Sequence, residues 1–221
     1  MKERIENLQS PLFQGIAPED RKSILHCMGY YVKSFPKGGI ISFEEETVRH
    51  IGIVLSGTVD MVKEDLWGNR TMLLRLQRDQ VFGETFACGD ERVSLVTFQV
   101  AETAEILFMS FDRIMRSCTK SCEFHHRLTE NMVTIMANKN RELMRKVEVV
   151  TKRTIREKLL AYLSIQGQLR GSVYFDIPLG RVELAEYLCV DRSAMTRELA
   201  KMKDEGLIDY DKNSFRMLIE H

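Results

Sequence analysis

Several features that specify common protein classes are scarce in this 221-residue chain. It has five cysteines, an odd number at irregular spacing, and its first residues, MKERIENLQSPLF, lack the apolar core of a secretion signal. No apolar run approaches the ~20 residues that a membrane-spanning helix needs. The 32 basic and 32 acidic residues give a formal net charge of zero. These absences predict a cytoplasmic protein with no disulfide framework and no membrane partner.

The sequence also gives little support for a metal site or a catalytic motif. Cys118 and Cys122 could share a helical face, but two thiols without nearby partners are too few ligands for a metal. We find no Gly-rich phosphate loop, no recognisable pair of catalytic carboxylates and no Cys–His couple. The sequence therefore predicts a protein that is not an enzyme, with no catalytic residues, no metal site and reduced thiols.

The stretch 181–207, RVELAEYLCVDRSAMTRELAKMKDEGL, predicts two short amphipathic helices joined by a tight turn. Asp191 is placed to cap the second helix and Gly206 to end it. The apolar positions expected to be buried are Val182, Leu184, Ala185, Leu188, Ala194, Met195, Leu199 and Met202. Such a helix-turn-helix places its second helix in the DNA major groove.

The flanking residues favour a winged helix. Apolar runs at 207–210 and 215–219 surround the polar turn 211–214, which predicts a β-hairpin, and 172–179 predicts a further strand before the helices. The helix pair alone is also compatible with an ordinary helical hairpin whose arginines are solvated. From 139 to 158 eight basic and three acidic residues lead into this region, where a phosphate-facing patch would be useful.

The pattern of apolar and polar residues changes twice in the first half of the chain. Residues 1 to about 34 are predicted to be helical, and 35–109 contain short apolar runs separated by glycines and polar turns, which is typical of an antiparallel barrel or roll. A helix free of proline and glycine follows at 121–150, about 40 Å long at ~1.5 Å per residue.

The long helix carries an apolar seam at three- and four-residue steps. Its members are Leu128, Met132, Ile135, Met136, Leu143, Val147 and Val150. We interpret the seam as one strand of a two-stranded coiled-coil dimer. The alternative is a helix buried against its own barrel, and both can hold for different turns.

The order of these parts resembles the Crp/Fnr family of bacterial transcription regulators over nearly the whole chain. The resemblance is carried by VFGE at 81–84, VDRSAMTR at 190–197, VLSGTV at 54–59 and LAEYL at 184–188. It implies an α+β protein with an antiparallel β-roll of the cyclic-nucleotide-binding kind (1–120), a dimerisation helix (121–150) and a winged helix-turn-helix (151–221). The β-roll of this family is a double-stranded β-helix.

The resemblance implies an effector-responsive regulator that binds a palindromic operator as a homodimer. Its partners would be double-stranded DNA, a second copy of the chain and RNA polymerase. The alternative, a small-molecule-binding regulatory module without direct DNA binding, is disfavoured by the winged helix. Expected DNA contacts are base edges or phosphates for Arg192, Ser193, Thr196 and Arg197, and phosphates for Lys152 and Arg153.

The expected effector residues are Gly83, Glu84, Thr85, Lys139 and Asn140. Cyclic-nucleotide binders of the family have an Arg-Ser pair for the phosphate, whereas this chain has Ser94-Leu95 in that register and Arg92 out of step, which argues against cyclic AMP. Cys27 alone lies in the N-terminal region where iron–sulfur members gather cysteines, so a cluster lacks ligands. His50, His125 and His126 are haem-ligand candidates by type alone. An unidentified small-molecule effector remains.

Overall fold

A computed structural model describes residues 8–115 and 123–218 of the chain. The chain divides into two compact units, which are described separately below. The first takes in residues up to Asp65 together with Leu73–Asn140, and the second takes in Leu66–Met72 together with Arg141 onward. None of the described helices combines the length and the apolar character needed to cross a bilayer.

The first unit is built on an antiparallel sheet. Among the described residues its strands are β1 (Tyr30–Phe35), β2 (Ile40–Ser42), β3 (His50–Glu64), β4 (Arg70–Leu76), β5 (Val81–Phe82) and β6 (Thr97–Ser110). The order is β1-β6-β3-β4, and β2 and β5 pair with β6 and β3. The predicted antiparallel β-roll is therefore confirmed.

Strand alternation divides the apolar residues of this sheet between two faces. Ile51, Ile53, Leu107 and Met109 pack with the helices in one core cluster. Those helices follow a 3-10 turn (Pro11–Phe13) and are α1 (Pro18–Met28), α2 (Glu84–Ala87), α3 (Phe111–Met115) and the start of α4 (Glu123–Val150). The intervening residues of the same strands lie on the opposite face of the sheet.

The packing of α4 differs from the prediction for part of the apolar seam. Leu128, Met132 and Ile135 are buried in the first unit's own core, so the dimer seam is wrong for them and the alternative, packing on the chain's own barrel, is confirmed for these turns. Val147 is exposed. Since α4 contributes residues to both units, the separate dimerisation segment 121–150 stays a prediction.

Besides the end of α4 and the start of β4, the described part of the second unit holds three helices and a small sheet. These are α5 (Ile155–Arg170), β7 (Tyr174–Asp176), α6 (Arg181–Leu188), α7 (Arg192–Asp204), β8 (Ile208–Asp211) and β9 (Ser214–Met217), with strand order β7-β9-β8. Leu184, Met195 and Phe215 are fully buried. The predicted winged helix-turn-helix is confirmed, but Val182 is exposed, which corrects its predicted burial.

Candidate nucleic-acid interface and effector site

The N-terminus of α7 is defined by the predicted cap. The Asp191 carboxylate accepts from the backbone N–H of Ala194 at 2.7 Å. Just before it, Cys189 ends α6 with φ 53° and ψ 56°, in the left-handed region. Gly206 has φ +72°, and the N–H of Leu207 reaches the carbonyl of Met202 at 3.0 Å, which ends α7 as predicted.

The outer face of α7 carries the predicted DNA-contacting side chains. Arg192, Ser193, Thr196 and Arg197 are exposed, while Met195 and Leu199 on the opposite face are buried. The Thr196 hydroxyl donates to the carbonyl of Arg192 at 2.9 Å, which leaves its oxygen free to accept a further hydrogen bond. Within the described residues Arg192 and Arg197 form no salt bridge, so both guanidinium groups are available.

An ion-pair network that the sequence did not reveal holds α7 against α5. Arg156 on α5 donates from Nε to Glu198 at 2.6 Å, and from its terminal nitrogens to Glu205 at 2.7 and 3.0 Å. These bonds raise the pKa of Arg156, chiefly through Glu205, and lower the pKa of Glu205. Arg156 thus positions α7 and is not free to bind phosphate.

Fewer basic side chains of the run 139–158 are therefore free on the surface than the sequence suggests. Besides Arg156, Lys158 donates to the carbonyl of Leu188 at 3.1 Å, and Lys139 and Lys146 are engaged in the protein interior. Lys152 and Arg153 are exposed and form no salt bridge within the described residues. They keep the charge that a phosphate contact requires.

Lys152 and Arg153 lie in a turn and not in a helix. Helix α5 starts at Ile155, after a capping box in which Thr154 Oγ1 accepts from the N–H of Glu157 and Glu157 accepts from the N–H of Thr154. The latter bond is the main reason why the pKa of Glu157 is lowered. The T-x-x-E pattern at 154–157 is the sequence signal that identifies this start.

The wing is tied to the end of α7. Lys203 Nζ lies 2.6 Å from an Asp209 carboxylate oxygen and 5.1 Å from the centre of the Tyr210 ring. The bond to Asp209 raises the pKa of Lys203 and lowers that of Asp209. Lys203, near the end of α7, is thus engaged by the wing, the hairpin of β8 and β9.

A buried lysine lies beneath the helix-turn-helix. Lys146 Nζ donates to the carbonyls of Met72 and Tyr187 at 2.7 and 2.5 Å, and lies 4.0 Å from the centre of the Tyr187 ring. Burial lowers its pKa to about 8. Burial also raises the pKa of Tyr187 to about 12. No periodicity distinguishes Lys146 from the other basic residues of its run.

In the first unit, three of the predicted effector residues come together. Lys139 Nζ donates to Glu84 Oε1 and to the carbonyl of Val81, both at 2.7 Å, and the Thr85 hydroxyl is 3.2 Å from the same Glu84 oxygen. Glu84 is fully buried, and its Oε2 has no hydrogen-bond partner within the described part of the chain. A buried acceptor without a donor is costly, so this oxygen is a candidate ligand contact.

The other two predicted effector residues, Gly83 and Asn140, lie outside this hydrogen-bonded group. Gly83 has φ +83°, which glycine adopts without strain, and it precedes the first residue of α2. The Asn140 side chain is exposed and takes no part in the bonds between Lys139 and Glu84.

In the described part of the roll, the two residues nearest the expected phosphate position, Arg92 and Ser94, are already engaged. Arg92 donates to both carboxylate oxygens of Asp112, at 2.9 and 2.7 Å. Its pKa is raised by that hydrogen-bonded pair. Ser94 is buried and its hydroxyl donates to the carbonyl of Val96 at 2.6 Å. Both side chains already have partners within the roll.

Some of the candidate metal and haem ligands lie within residues 8–115 and 123–218. No group of three or more His, Cys, Asp or Glu side chains there is arranged to hold a metal ion. His125 is buried, and the exposed His126 lies 3.2 Å from Glu130. Cys118 and Cys122 lie outside the described residues.

Comparison with known proteins matches the two units to two family models. Residues 32–121 match the cyclic nucleotide-binding domain, and residues 157–220 match the Crp-like helix-turn-helix domain. Residues 192–197, at the start of α7, fall within the second match.

Two curated relatives extend over most of the chain. The cyclic AMP receptor protein of Thermus thermophilus is 22% identical over 203 residues, which cover 90% of this chain and 88% of that protein. The transcriptional activator protein FnrL of Cereibacter sphaeroides is 25% identical over 190 residues, covering 80% of this chain and 72% of that protein.

Solved structures share the fold at lower identity. The c-di-GMP-responsive global regulator CLP of Xanthomonas campestris superposes with a TM-score of 0.72 at 14% identity, covering 90% of this chain and 98% of that one. A CooA mutant from Carboxydothermus hydrogenoformans gives 0.70 at 15% identity, with 96% and 91% covered. These similarities concern the fold alone.

Proposed function

Since this chain belongs to the Crp/Fnr family of DNA-binding transcription regulators, we propose that it binds a palindromic operator as a homodimer and responds to a small-molecule effector. A contact with RNA polymerase is part of the same proposal. The observation that carries it is the outer face of α7, where Arg192 and Arg197 are exposed and form no salt bridge among the described residues.

We assign the direct recognition of base edges to the outer face of α7. Arginine donates to guanine O6 and N7 through two parallel bonds, worth ~1–3 kcal/mol of discrimination per base pair. Arg156 supports this role because its bonds to Glu198 and Glu205 fix α7 on α5. A recognition helix held in one orientation loses little freedom when it enters the groove.

The homodimer is supported by the exposed face of α4. Val133, Met144 and Val147 are exposed apolar residues, and with Ala137 and Asn140 they follow steps of four, three, four and three residues. That spacing is a heptad seam, and a single Asn at such a position favours one register in two-stranded coiled coils. We call these five residues the α4 seam.

The effector response is supported by the buried site at Glu84. Its Oε2 is unsatisfied among the described residues, and its Oε1 is held by Lys139 from α4. A ligand with a hydroxyl or amine donor would satisfy the free oxygen. Cyclic AMP is a poor candidate because Arg92 is bound by Asp112.

The test compares base-reading and phosphate-binding residues on an operator selected from random DNA. Arg197→Ala should weaken operator binding and relax the preference at one position of each half-site, since a bidentate contact is lost. Lys152→Ala or Arg153→Ala should instead weaken all sequences alike. Competition binding against single-base operator variants separates the two effects.

Arg78→Ala is the matched control, because Arg78 is an exposed arginine in a turn of the first unit. It should leave both affinity and sequence preference unchanged. If Arg197→Ala kept full specificity, or mattered no more than Arg78→Ala, the assignment of α7 as the reading helix would be wrong.

A further inference from the structure

Lys146 joins three elements of the second unit at one buried point. It lies on α4, one turn before that helix ends, and its ammonium donates to the carbonyls of Met72 near the start of β4 and Tyr187 near the end of α6. The residue is only 5% exposed. We call these three residues the Lys146 junction. All three belong to the second unit, because that unit takes in Leu66–Met72 as well as Arg141 onward.

Neighbouring contacts hold both acceptors of the Lys146 junction in place. The Lys146 ammonium lies 4.0 Å from the centre of the Tyr187 ring, and that ring also packs on the buried Tyr162 ring of α5, with centroids 5.2 Å apart. On the β4 side, Arg70 lies 3.5 Å from a carboxylate oxygen of Glu186, the residue before Tyr187. The start of β4 and the end of α6 are thus joined to each other as well as to α4.

The lysine occupies this position at a cost. Burial disfavours its charged form, which is why the pKa of Lys146 is lowered to about 8. A methionine is similarly long and flexible and would fill the same space without that cost. Replacing buried charged groups by apolar ones is often neutral or stabilising. Two hydrogen bonds of fixed direction are what methionine lacks, so fixed orientation is the property that the lysine adds.

The helix-turn-helix needs such a contact to keep one orientation on α4. The chain passes from α4 to α5 through residues 151–154, which form an exposed turn. A few loop residues of this kind can absorb a hinge motion when no packing fixes the elements on their two sides. The Lys146 junction lies one turn before this connection and reaches α6, the first helix of the helix-turn-helix, directly.

We propose that Lys146 is a positioning residue for operator binding, which fixes α6, and with it the recognition helix α7, in one orientation relative to the α4 seam. Met144 and Val147 of that seam lie within two positions of Lys146 on the same helix. In the homodimer each α7 is then held at a fixed distance from the interface. This role rests on the proposed function, since it sets the spacing of the two half-sites that the dimer accepts.

Spacing selectivity measures this role. One base pair inserted between the half-sites moves one of them by ~3.4 Å and turns it by ~35°. Two rigidly held α7 helices should bind such an operator about tenfold more weakly than the optimal one. Lys146→Met should flatten this profile, so that the penalty falls below about threefold. It should also weaken the optimal complex, because α7 then loses freedom on binding.

Lys158→Met is the matched control. Lys158 on α5 donates to the carbonyl of Leu188, next to Tyr187, at 3.1 Å. This variant therefore loses the same charge and a neighbouring hydrogen bond but leaves the bonds of Lys146 in place, so it should keep the steep wild-type profile. A wild-type profile in Lys146→Met, or an equally flat one in Lys158→Met, would overturn the proposal. Circular dichroism checks the fold, and an unfolded Lys146→Met protein would also contradict the proposal, because the lysine would then be needed for stability.

A measurement without DNA separates the Lys146 junction from the proposed function. Trp67 is the single tryptophan of the chain and lies between β3 and β4, five residues before Met72. Its side chain is 83% exposed, so its time-resolved fluorescence anisotropy reports the local motion of this hairpin. Loss of the bond from Lys146 to the Met72 carbonyl should increase that motion in Lys146→Met, and Lys158→Met should leave it unchanged.

The two measurements distinguish the possible failures. If the wild-type protein bound no palindromic operator, or bound it without a preference for spacing, the proposed function would fail and the positioning role with it. The Lys146 junction would then still be judged by the motion of Trp67. If the wild type is selective for spacing, and Lys146→Met changes neither the spacing profile nor the motion of Trp67, the role of Lys146 alone is refuted.

Discussion

Cys189, between the two helices of the helix-turn-helix, occupies a backbone position that suits glycine. Its φ of 53° lies in the left-handed region, which costs a residue with a Cβ ~1–2 kcal/mol. Glycine avoids this cost but loses ~0.5–1 kcal/mol of chain entropy on folding. Cys189→Gly should therefore stabilise the second unit by about 0.5–1 kcal/mol, measured as an upward shift of its thermal unfolding.

Cys189→Ser is the control for the thiol itself. Serine keeps the Cβ atom and hence the strain, so it should bring no gain. The weak contact from the sulfur to the carbonyl of Glu186, at 3.8 Å, is too long to matter greatly. Equal stability changes in both variants would show that the backbone angle is not the cause.

Lys146 is a second residue whose environment predicts a measurable property. Burial lowers its pKa to about 8, from the ordinary 10.5, with the neighbouring Lys158 adding to the effect. The ε-carbon resonance of Lys146 should therefore titrate near pH 8 in the folded protein, well below the solvent-exposed lysines. Titration of every lysine above pH 10 would contradict this.

The sign of the stability effect follows from linkage. Between the folded pKa of about 8 and the unfolded value of 10.5 the unfolded chain binds more protons, so stability rises with pH in this window. Relative to Lys146→Met, wild type should gain about 2 kcal/mol between about pH 7 and 9.5. Chemical denaturation at both pH values measures the difference, and a difference that stayed constant would be contrary to it.

At the scale of elements, α4 presents two apolar faces with different partners. Leu128, Met132 and Ile135 belong to the first unit's core, while Met144 and Val147 are on the exposed α4 seam. Both faces repeat every three or four residues, so sequence periodicity alone placed Val147 in one seam with Leu128, Met132 and Ile135 and left Met144 out. The packing of the roll is what separates them.

Substitutions on the two faces should behave differently. Met144→Lys or Val147→Lys should dissociate the dimer and leave the fold intact, because the charge would be buried only at the interface. Ile135→Lys should unfold the first unit, because it places an unpaired charge in the core at a cost of several kcal/mol. Sedimentation combined with circular dichroism separates the outcomes, and a wild-type monomer at micromolar concentration would argue against the seam.

At the scale of the whole molecule, the proposed homodimer would place two α7 helices on DNA. Half-site centres should lie ~34 Å apart, one turn of about 10 base pairs. An insertion of about five base pairs between half-sites turns one half-site to the opposite face of the duplex, so specific binding should fall to the level of a single half-site. Gel shift with spaced operators measures this, and binding indifferent to spacing would contradict a symmetric dimer.

The salt dependence of DNA binding tests the same two-fold symmetry of the proposed dimer. Each phosphate contact contributes ~0.9 to the slope of log K against log salt, so Lys152→Ala should lower the slope by about 1.8 in a dimer. A zero formal charge does not prevent this binding, because phosphates respond to the local field of Lys152 and Arg153. A fall of ~0.9 would indicate that one subunit alone makes the contact.

Local signals in the sequence were enough for much of the second unit. Asp191 caps α7 and Gly206 ends it, as predicted from residue type and position. These features depend on residues within a few positions of each other, so they are legible in the sequence. The T-x-x-E box at 154–157 is an equally local signal and marks the start of α5 at Ile155.

The amino-acid sequence by itself determined the order of the elements, the antiparallel roll and the position of the recognition helix, since periodicity, caps and turns act over short distances. Tertiary structure decided which charges are free: Arg156 and Lys146 resemble Lys152 in sequence, yet distant carboxylates and carbonyls engage the first two. It also decided that Gly52 makes room for Phe82. Such contacts join residues 30–75 positions apart, and a single sequence carries no signal for a partner brought close only by folding.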